Sequence, residues 1–298
     1  MKIVLFGSRG QLGWELQRSL APLGEVIALS TDSPDWAANF RHPELLADTL
    51  RRLRPDVIVN AAAYTAVDRA ESEPQTVYTV NAEAPGILAG EAAALGATLL
   101  HYGSDYVFDG SGDAPRDEDA PVAPINTYGR SKLAGEEAVR SSGCRHLILR
   151  TSWVYAARGS NFARTILRLA VERDTLRVVD DQIGAPTGAE LLADLSAHAL
   201  CSLQREPALA GTYHVAPTGQ TSWHAYACRV LDAAAARGRP LKVGPCDVQA
   251  IATSDYPTPA ARPLNSRLDC ARFRHAFQLK LPPWQAGVDR MLAELLGD

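Results

Sequence analysis

The first half of the chain alternates short apolar runs with longer amphipathic segments. The short runs are rich in Val, Ile and Leu, which is typical of strands buried on both faces of a parallel sheet. They predict strands over residues 2–6, 26–29, 57–60, 98–102 and 146–150. Apolar positions at helical spacing predict helices between them, over residues 12–20, 43–53, 77–95 and 128–141. This alternation predicts an α/β fold, a Rossmann-type doubly wound parallel sheet.

The pattern changes after residue 151. It predicts a helix over 162–172, a strand over 176–179, a helix over 191–203 and a strand over 212–215. A proline-marked region follows, and a closing helix is predicted over 284–296. We therefore predict a dinucleotide-binding domain over residues 1–152, to which residues from roughly 175–215 add, and a smaller C-terminal substrate-binding lobe over 153–298.

Length and composition fit a globular protein with a large core, since 46% of the 298 residues are hydrophobic and 21% are charged. The sequence shows neither an apolar run near the ~18 residues of a membrane span nor a basic-then-apolar export signal, so we expect a cytoplasmic protein without membrane contact. The net charge is −4 and the Lys and Arg residues are scattered, which argues against nucleic acid as a partner. The expected partner is a small molecule.

The five cysteines and seven histidines show no metal-binding or disulfide pattern. The cysteines are widely separated without a C-x-x-C pair, which is typical of reduced thiols. No two histidines stand four residues apart beside an acid, so the sequence predicts no zinc site.

A glycine-spaced loop joins the first predicted strand to the first predicted helix. It reads Gly7-Ser8-Arg9-Gly10-Gln11-Leu12-Gly13. Glycine lets a backbone approach a pyrophosphate closely, and the following helix N-terminus offers free N–H groups and a partial positive charge. The loop predicts a dinucleotide site, and the alternative is a tight turn that needs glycine only for packing.

The end of the second predicted strand bears on the choice between NADPH and NADH. Ser30 stands where a carboxylate would repel a 2′-phosphate, and Arg9 has the charge to pair with that phosphate. We therefore predict NADPH as the cofactor, while Asp32 leaves NADH open. The alternative for Arg9 is a solvated loop cation.

The most informative pair is Tyr128 and Lys132, which stand four residues apart in a predicted helix. On a helix the two side chains share a face, so the ammonium can lower the pKa of the phenol and make it an acid–base group. Ser104, just after the fourth predicted strand, is placed to hydrogen-bond a substrate carbonyl, and the alternative is a cap or turn serine. These residues predict hydride chemistry at a carbonyl.

Together these residues resemble the extended short-chain dehydrogenase/reductase superfamily, and within it the reductases of dTDP-linked 4-keto sugars. The resemblance covers essentially the whole chain, and the ordered set of motifs is highly specific. Its carriers are Gly7-x-x-Gly10-Gln11-x-Gly13, Asn60-Ala61-Ala62-Ala63-Tyr64-Thr65-Ala66-Val67-Asp68, Ser104-Asp105-Tyr106-Val107-Phe108-Asp109-Gly110, Tyr128-Gly129-x-Ser131-Lys132-Leu133-x-Gly135-Glu136, Arg150-Thr151-Ser152-Trp153-Val154-Tyr155, Asp181-Gln182-x-Gly184-Ala185-Pro186-Thr187 and Arg262-Pro263-x-x-Ser266-x-Leu268.

The resemblance implies NAD(P)H-dependent reduction of the C4 ketone of dTDP-4-dehydro-L-rhamnose to dTDP-L-rhamnose, a precursor of cell-surface polysaccharide such as the lipopolysaccharide O-antigen. In this reaction Tyr128 is expected to give its proton to the developing C4 alkoxide. Lys132 is expected to lower the Tyr128 pKa and hold the nicotinamide ribose. Ser104 is expected to orient the carbonyl oxygen.

The resemblance also implies which residues bind the two ligands. The expected cofactor-binding residues are Gly7, Gly10, Gln11, Leu12, Gly13, Ser30, Asn39, Phe40, Ala62, Ala63, Tyr64, Thr65, Tyr102, Tyr128 and Lys132. The expected substrate-binding residues are Ser104, Asp105, Trp153, Asn161 and Arg262. The residues alone would favour a core role for Trp153, and leave a surface ion pair equally open for Arg262.

Three positions depart from the usual family pattern. Ser30 and Asn39 stand where many members have an acid, which leaves the NADPH or NADH preference open, and Ser104 replaces a commoner threonine while keeping the hydroxyl. Some family members are Mg²⁺-dependent homodimers. Glu15 and Glu190 are the candidate ligands here, and two solvated helix acids are the alternative.

Two other functions stay open at this point. A nucleotide-sugar epimerase shares the glycine loop and the Tyr–Lys pair, although such chains usually carry a larger substrate lobe. A non-catalytic regulatory subunit on the same fold is the other, and the complete set of Ser104, Tyr128 and Lys132 argues against it.

Overall fold

A computed structural model describes residues 1–297. The strands are β1 (Lys2–Phe6), β2 (Glu25–Leu29), β3 (Val57–Asn60), β4 (Thr98–Ser104), β5 (Arg145–Thr151), β6 (Val154–Tyr155), β7 (Leu176–Val179), β8 (Ile183–Gly184), β9 (Thr187–Gly188), β10 (Gly211–His214), β11 (Thr221–Ser222) and β12 (Val248–Ile251). The α-helices are α1 (Gln11–Leu20), α2 (Leu46–Leu53), α3 (Val67–Ala70), α4 (Pro74–Tyr78), α5 (Ala84–Leu95), α6 (Thr127–Ser141), α7 (Phe162–Glu172), α8 (Ala189–Arg205), α9 (Trp223–Ala236), α10 (Ala271–Phe277) and α11 (Trp284–Leu296). Within residues 1–297, each helix is too short or too polar to cross a membrane.

The central sheet has six parallel strands in the order β2-β1-β3-β4-β5-β10. The chain moves outward from β1 to β2 and then returns to β3 on the other side of β1. Such a reversal opens a crevice at the carboxyl ends of the two strands, where doubly wound sheets bind their ligands. The predicted Rossmann-type fold is confirmed, and the crevice between β1 and β3 is where a cofactor is expected.

Helices cover both faces of this sheet, because successive side chains of a strand point to opposite sides. In β1, Ile3 and Leu5 pack into a core cluster that includes residues of α1 and α8. Val4 and Phe6 pack into a second cluster that includes residues of α2 and α5. All four side chains are fully buried, which explains why the strand reads as one unbroken apolar run.

The helix predicted over residues 77–95 is present but interrupted. Its two parts, α4 and α5, are joined by a π-helical turn over Thr79–Glu83. Gly135 of α6 packs onto this turn, since a Cβ on that glycine would lie 2.1 Å from Asn81 O. π-Helical turns are frequent at functional sites, and this one brings Asn81 against the helix that carries Tyr128.

The later segments form a smaller lobe around a third core cluster from α7, α9 and α11. Residues from roughly 175–215 were expected to add to the first domain. Within them β10 joins the central sheet, whereas β7 pairs with β12. Exposed Arg177 stands between buried Leu176 and Val178, an alternation that suits a sheet with one solvent face. The domain division at residue 152 stays a prediction, and Asp298 of the predicted lobe lies outside the described residues.

Candidate active site

A cavity of about 470 Å³ opens at the carboxyl ends of the central strands. Its size is that of a small-molecule site. It brings together many of the residues expected at cofactor or substrate, namely Gly10, Gln11, Leu12, Ala62, Ala63, Thr65, Tyr102, Ser104, Asp105, Tyr128, Lys132 and Trp153. The other expected residues lie outside its lining, namely Gly7, Gly13, Ser30, Asn39, Phe40, Tyr64, Asn161 and Arg262.

The glycine loop between β1 and α1 is packed so tightly that only glycine fits at two positions. Gly7 has a φ of 83°, and a Cβ there would lie 2.7 Å from Ala61 C in the loop after β3. A Cβ on Gly13 would lie 2.0 Å from Gly7 O. Gly10 is the N-cap of α1 and brings no side chain to the N–H groups of the first turn. This arrangement allows close backbone approach at the cavity wall, which fits a dinucleotide diphosphate.

Ser30, Asn39 and Phe40 follow β2, on the side where the adenosine is expected. The Asn39 side-chain oxygen accepts a hydrogen bond from Arg41 N at 3.0 Å. Phe40 is buried and packs its ring on Phe6, with centroids 5.5 Å apart. The Phe40 ring therefore belongs to the hydrophobic core, and cofactor contacts by these three residues stay predictions.

Tyr64 is directed at α4, because its hydroxyl donates to Glu73 at 2.8 Å. Its backbone is held by Asn81, whose Oδ1 accepts from Tyr64 N at 2.8 Å and whose Nδ2 donates to Tyr64 O at 3.0 Å. Asn81 Nδ2 also donates to Ser131 of α6 at 3.1 Å. Asn81 thus ties the loop after β3 to the helix that carries Tyr128, a role that the sequence analysis missed.

The first turn of α6 lies directly against the turn that follows β4. The N-cap Asn126 accepts a hydrogen bond from Gly129 N at 2.8 Å. A Cβ on Gly129 would lie 2.2 Å from Tyr106 O, so glycine permits the close approach. As a result Tyr128 meets Tyr106 edge to face, with ring centroids 5.3 Å apart.

Ser104 and Tyr128 face each other in the lining of the cavity. Burial raises the pKa of Tyr128 to about 12, and the neighbouring Ser104 hydroxyl opposes this rise. Lys132 instead directs its ammonium at the Tyr102 carbonyl, with Nζ and O 2.6 Å apart. In this arrangement Ser104 is the group that opposes the rise in the Tyr128 pKa, and the lowering expected from Lys132 stays a prediction.

Lys132 is itself affected by its surroundings. Burial lowers its pKa to about 8, and the negative charge of Glu136 opposes that shift. At neutral pH Tyr128 is therefore a phenol and Lys132 mostly an ammonium. A proton donor and a cation share one face of α6.

Asp105 follows Ser104 and is almost fully buried. Ser104 Oγ donates to Asp105 Oδ1 at 3.1 Å, and Ser266 lies beside the same carboxyl group. Asp105 Oδ2 is buried without a partner among residues 1–297. Burial raises the Asp105 pKa to about 6. An unpartnered carboxylate oxygen in a cavity wall is suited to accept a ligand hydroxyl.

Trp153 adopts a left-handed backbone conformation, with a φ of 49°. Its indole stacks on Trp223 with ring centroids 3.7 Å apart and an interplanar angle of 15°. It also covers Gly184, where a Cβ would lie 2.8 Å from Trp153 Cε2. Trp223 is the first residue of α9 and was not singled out from the sequence, because the stack depends on residues far apart in the chain.

A second cavity of about 410 Å³ lies beyond Trp223 and is lined by Arg262, Arg177 and Gln182. Trp223 borders both cavities. Arg262 Nη2 pairs with Asp68 Oδ2 at 2.8 Å, and the Arg262 side chain is 18% exposed. The guanidinium fork suits a diphosphate, which would replace the carboxylate as its partner.

Asn161 is the N-cap of α7, since its Oδ1 accepts from Arg164 N at 3.1 Å. Its Nδ2 donates to Ala156 O at 2.5 Å and lies 3.4 Å from Gln11 Oε1 of the glycine loop. Asn161 therefore lies on the side of the glycine loop, whereas its neighbour Phe162 lines the second cavity.

Glu15 and Glu190 line a third cavity with Glu294. Arg18 lies 3.6 Å from Glu15 and Arg290 lies 2.7 Å from Glu190. No group of three or more His, Cys, Asp or Glu side chains within residues 1–297 is arranged to hold a metal ion. The arginines already balance the two carboxylates, so the expected Mg²⁺ site is not supported by this arrangement.

Comparison with known proteins finds relatives over nearly the whole chain. The chain matches the family model described as RmlD substrate binding domain over residues 1–296. The dTDP-4-dehydrorhamnose reductase of Salmonella typhimurium is 53% identical over 295 residues, which cover 99% of this chain and 98% of that protein.

Solved structures of the same class are also similar. A dTDP-4-dehydrorhamnose reductase from Clostridium acetobutylicum has a TM-score of 0.88 and 31% identity, with 99% of each chain covered. One from Bacillus anthracis, in complex with NADP, has a TM-score of 0.86 and 33% identity, with 98% of this chain and 99% of that chain covered. The resemblance expected from the motifs is confirmed, and the chain belongs to the dTDP-4-dehydrorhamnose reductase family.

Proposed function

We propose that this chain is an NAD(P)H-dependent reductase that converts dTDP-4-dehydro-L-rhamnose to dTDP-L-rhamnose. The observation that carries the proposal is that Ser104 and Tyr128 face each other in the lining of a cavity that the glycine loop also lines. A carbonyl oxygen placed at these two hydroxyls accepts hydrogen bonds from both. Donors held in place before the reaction stabilise the charge that develops on that oxygen.

Each residue of the site is proposed to have a different role in the reduction. When bound, the reduced nicotinamide supplies the hydride for C4. Tyr128 gives its proton to the C4 oxygen, because a phenol with a pKa of about 12 is still a stronger acid than the sugar alcohol that forms. The Lys132 ammonium stabilises the phenolate that remains, and Ser104 keeps the sugar oxygen in place.

The rest of the substrate is proposed to extend past the Trp153–Trp223 stack into the second cavity. Asp105 Oδ2, buried and without a partner among the described residues, accepts a sugar hydroxyl. Arg262 exchanges Asp68 for the diphosphate, which it can hold by two parallel hydrogen bonds.

NADPH is the proposed cofactor, with NADH also accepted. The NADP complex of the Bacillus anthracis relative supports this choice, as does a neutral Ser30 after β2. We further expect the enzyme to act in the cytoplasm as a homodimer. Sedimentation of the purified chain, with and without added Mg²⁺, tests the assembly and any role of the metal in it.

The reaction is tested by following the absorbance of NADPH after addition of dTDP-4-dehydro-L-rhamnose. We expect one NADPH oxidised per sugar nucleotide, with dTDP-L-rhamnose as product. Tyr128→Phe should lose several orders of magnitude in kcat with little change in NADPH affinity, since only the transferable proton is removed. Tyr78→Phe, on α4 outside the cavity lining, is the matched control and should keep wild-type turnover.

Wild-type turnover by Tyr128→Phe would contradict the role of the phenol. An epimerase would instead hold NAD⁺ permanently and interconvert sugars without net oxidation of added NADPH. A regulatory subunit would leave NADPH unchanged in the presence of the keto sugar.

A further inference from the structure

The face of α6 that carries Tyr128 and Lys132 continues to a third ionisable residue, Glu136, one further turn along. The Glu136 side chain is fully buried. Its carboxylate accepts hydrogen bonds from Arg150 Nε at 3.0 Å and Arg150 Nη2 at 2.8 Å, and from Arg140 Nη1 at 3.2 Å. A buried carboxylate requires such partners, because an unpaired charge inside the protein is costly.

The carboxylate also presses against the strand that leads to Ser104. A Cβ on Gly103 would lie 2.3 Å from Glu136 Oε1 and 2.8 Å from Arg150 Cγ. Gly103 stands between Tyr102, whose carbonyl accepts from Lys132, and Ser104. The Glu136–Arg150 pair therefore lies directly beneath the residues proposed for the reaction.

We propose that Glu136 is a positioning residue that acts through Lys132, because its buried carboxylate keeps the Lys132 side chain an ammonium directed at the Tyr102 carbonyl. The inference rests on the proposed function, in which that ammonium stabilises the Tyr128 phenolate. Glu136 does not line the cavity, so it is proposed to act without touching cofactor or substrate.

The electrostatic surroundings of Lys132 support this role. Lys132 is 3% exposed, and burial of an ammonium favours its neutral form. The charged or titratable groups around the pair are His101 on β4, Tyr128 and Arg140 on α6, and Arg150 on β5. His101 has its pKa lowered by burial and by Lys132, so it stays neutral. Glu136 is then the negative charge that favours the ammonium, and its removal would leave Arg150 as a second unpaired buried cation.

The sequence makes a direct test accessible, since Lys2, Lys132, Lys242 and Lys280 are the four lysines of the chain. Protein labelled with ¹³C at lysine Cε gives few NMR signals, and Lys132→Arg identifies the one from Lys132. The titration of that signal is then compared between wild type, Glu136→Gln and Glu137→Gln. Glu137 is exposed on the same helix and is the matched control.

We expect the Lys132 midpoint to fall by about one pH unit or more in Glu136→Gln, and to stay unchanged in Glu137→Gln. In a plot of kcat against pH, the high-pH midpoint should fall by the same amount, while KM for NADPH stays unchanged. Glu136→Asp, which keeps the charge, should restore most of the midpoint. A folded Glu136→Gln variant with a wild-type Lys132 midpoint overturns the proposal.

If Glu136→Gln does not fold, Arg140→Gln decides the question. It removes a partly exposed cation from Glu136 and leaves the buried pair intact, so the Lys132 midpoint should rise. A midpoint that is unmoved or lowered overturns the proposal. The NMR titration does not require turnover. An inactive wild-type protein would therefore count against the proposed function, whereas the effect of Glu136 on the Lys132 midpoint would still be measured separately.

Discussion

Arg9 and Asp32 form an ion pair between the loop after β1 and the loop after β2, with Nη1 and Oδ2 2.5 Å apart. The two side chains are 71% and 69% exposed, so water screens the attraction and the pair can open at little cost. Both residues lie where the adenosine ribose of a dinucleotide is expected. The guanidinium that would bind a 2′-phosphate is thus held by the carboxylate that would repel it.

This pairing predicts that Asp32→Asn shifts the cofactor preference toward NADPH. The change frees Arg9 and removes a negative charge, so the ratio of kcat/KM for NADPH to that for NADH should rise about tenfold. Steady-state rates with both cofactors measure the ratio. Asp35→Asn, which removes an exposed carboxylate of the same loop, is the control, and an equal effect of both variants would contradict a specific role for Asp32.

The strands of the central sheet could be predicted from the sequence because burial on both faces leaves a continuous apolar run. The residue types that follow these strands, such as Gly10 and Ser104, also pointed to the cavity. What could not be predicted depends on contacts between distant segments. Trp223 gains its place only when α9 packs beside Trp153, and the π-helical turn that holds Asn81 has no local signature.

The surroundings of Lys132 could not be predicted from the sequence either. Its spacing from Tyr128 placed the two side chains on one face of α6, but spacing does not reveal the Tyr102 carbonyl that takes the ammonium. Nor does it reveal that Ser104 is the group that opposes the rise in the Tyr128 pKa. Such effects depend on burial, which the whole fold determines.

Asp105 should make stability depend on pH. Its pKa is raised from 3.8 to about 6 by burial, so the folded protein holds this proton more tightly than the unfolded chain. Protonated Asp105 makes its full stabilising contribution below about pH 4. That contribution is lost as the pH rises through about 6, so the free energy of unfolding is about 3 kcal/mol lower above that range.

Asp105→Asn should therefore raise Tm above pH 6, and the gain should shrink toward pH 4. Thermal unfolding of both proteins across this range measures it. Asp109→Asn is the control with the opposite sign, because bonds from Ser111 lower the pKa of that carboxyl. If Asp105→Asn gave the same Tm difference at pH 4 and pH 7, the burial argument would be wrong.

Gly184→Ala should disturb the Trp153–Trp223 stack. The added Cβ would lie 2.8 Å from Trp153 Cε2 and force the indole to move. We expect tryptophan fluorescence to change and KM for the sugar nucleotide to rise about tenfold, while KM for NADPH stays within about twofold. Gly90→Ala is the matched control, since a Cβ there meets nothing within 4 Å, and this change within α5 should stabilise the protein by about 1 kcal/mol.

Ser104→Ala tests whether the serine acts in the reaction or only caps the turn after β4. Its hydroxyl accepts from Tyr106 N at 3.2 Å and faces Tyr128, so alanine loses both a cap and a donor near the substrate oxygen. We expect kcat to fall about 100-fold, as for loss of one preorganised donor, and the Tyr128 pKa to rise. Ser104→Thr keeps the hydroxyl on a strand that suits β-branched residues and should stay within about threefold of wild type. A turnover of Ser104→Ala close to wild type, with only a lower Tm, would reduce Ser104 to a turn residue and leave Tyr128 as the sole donor to the carbonyl oxygen.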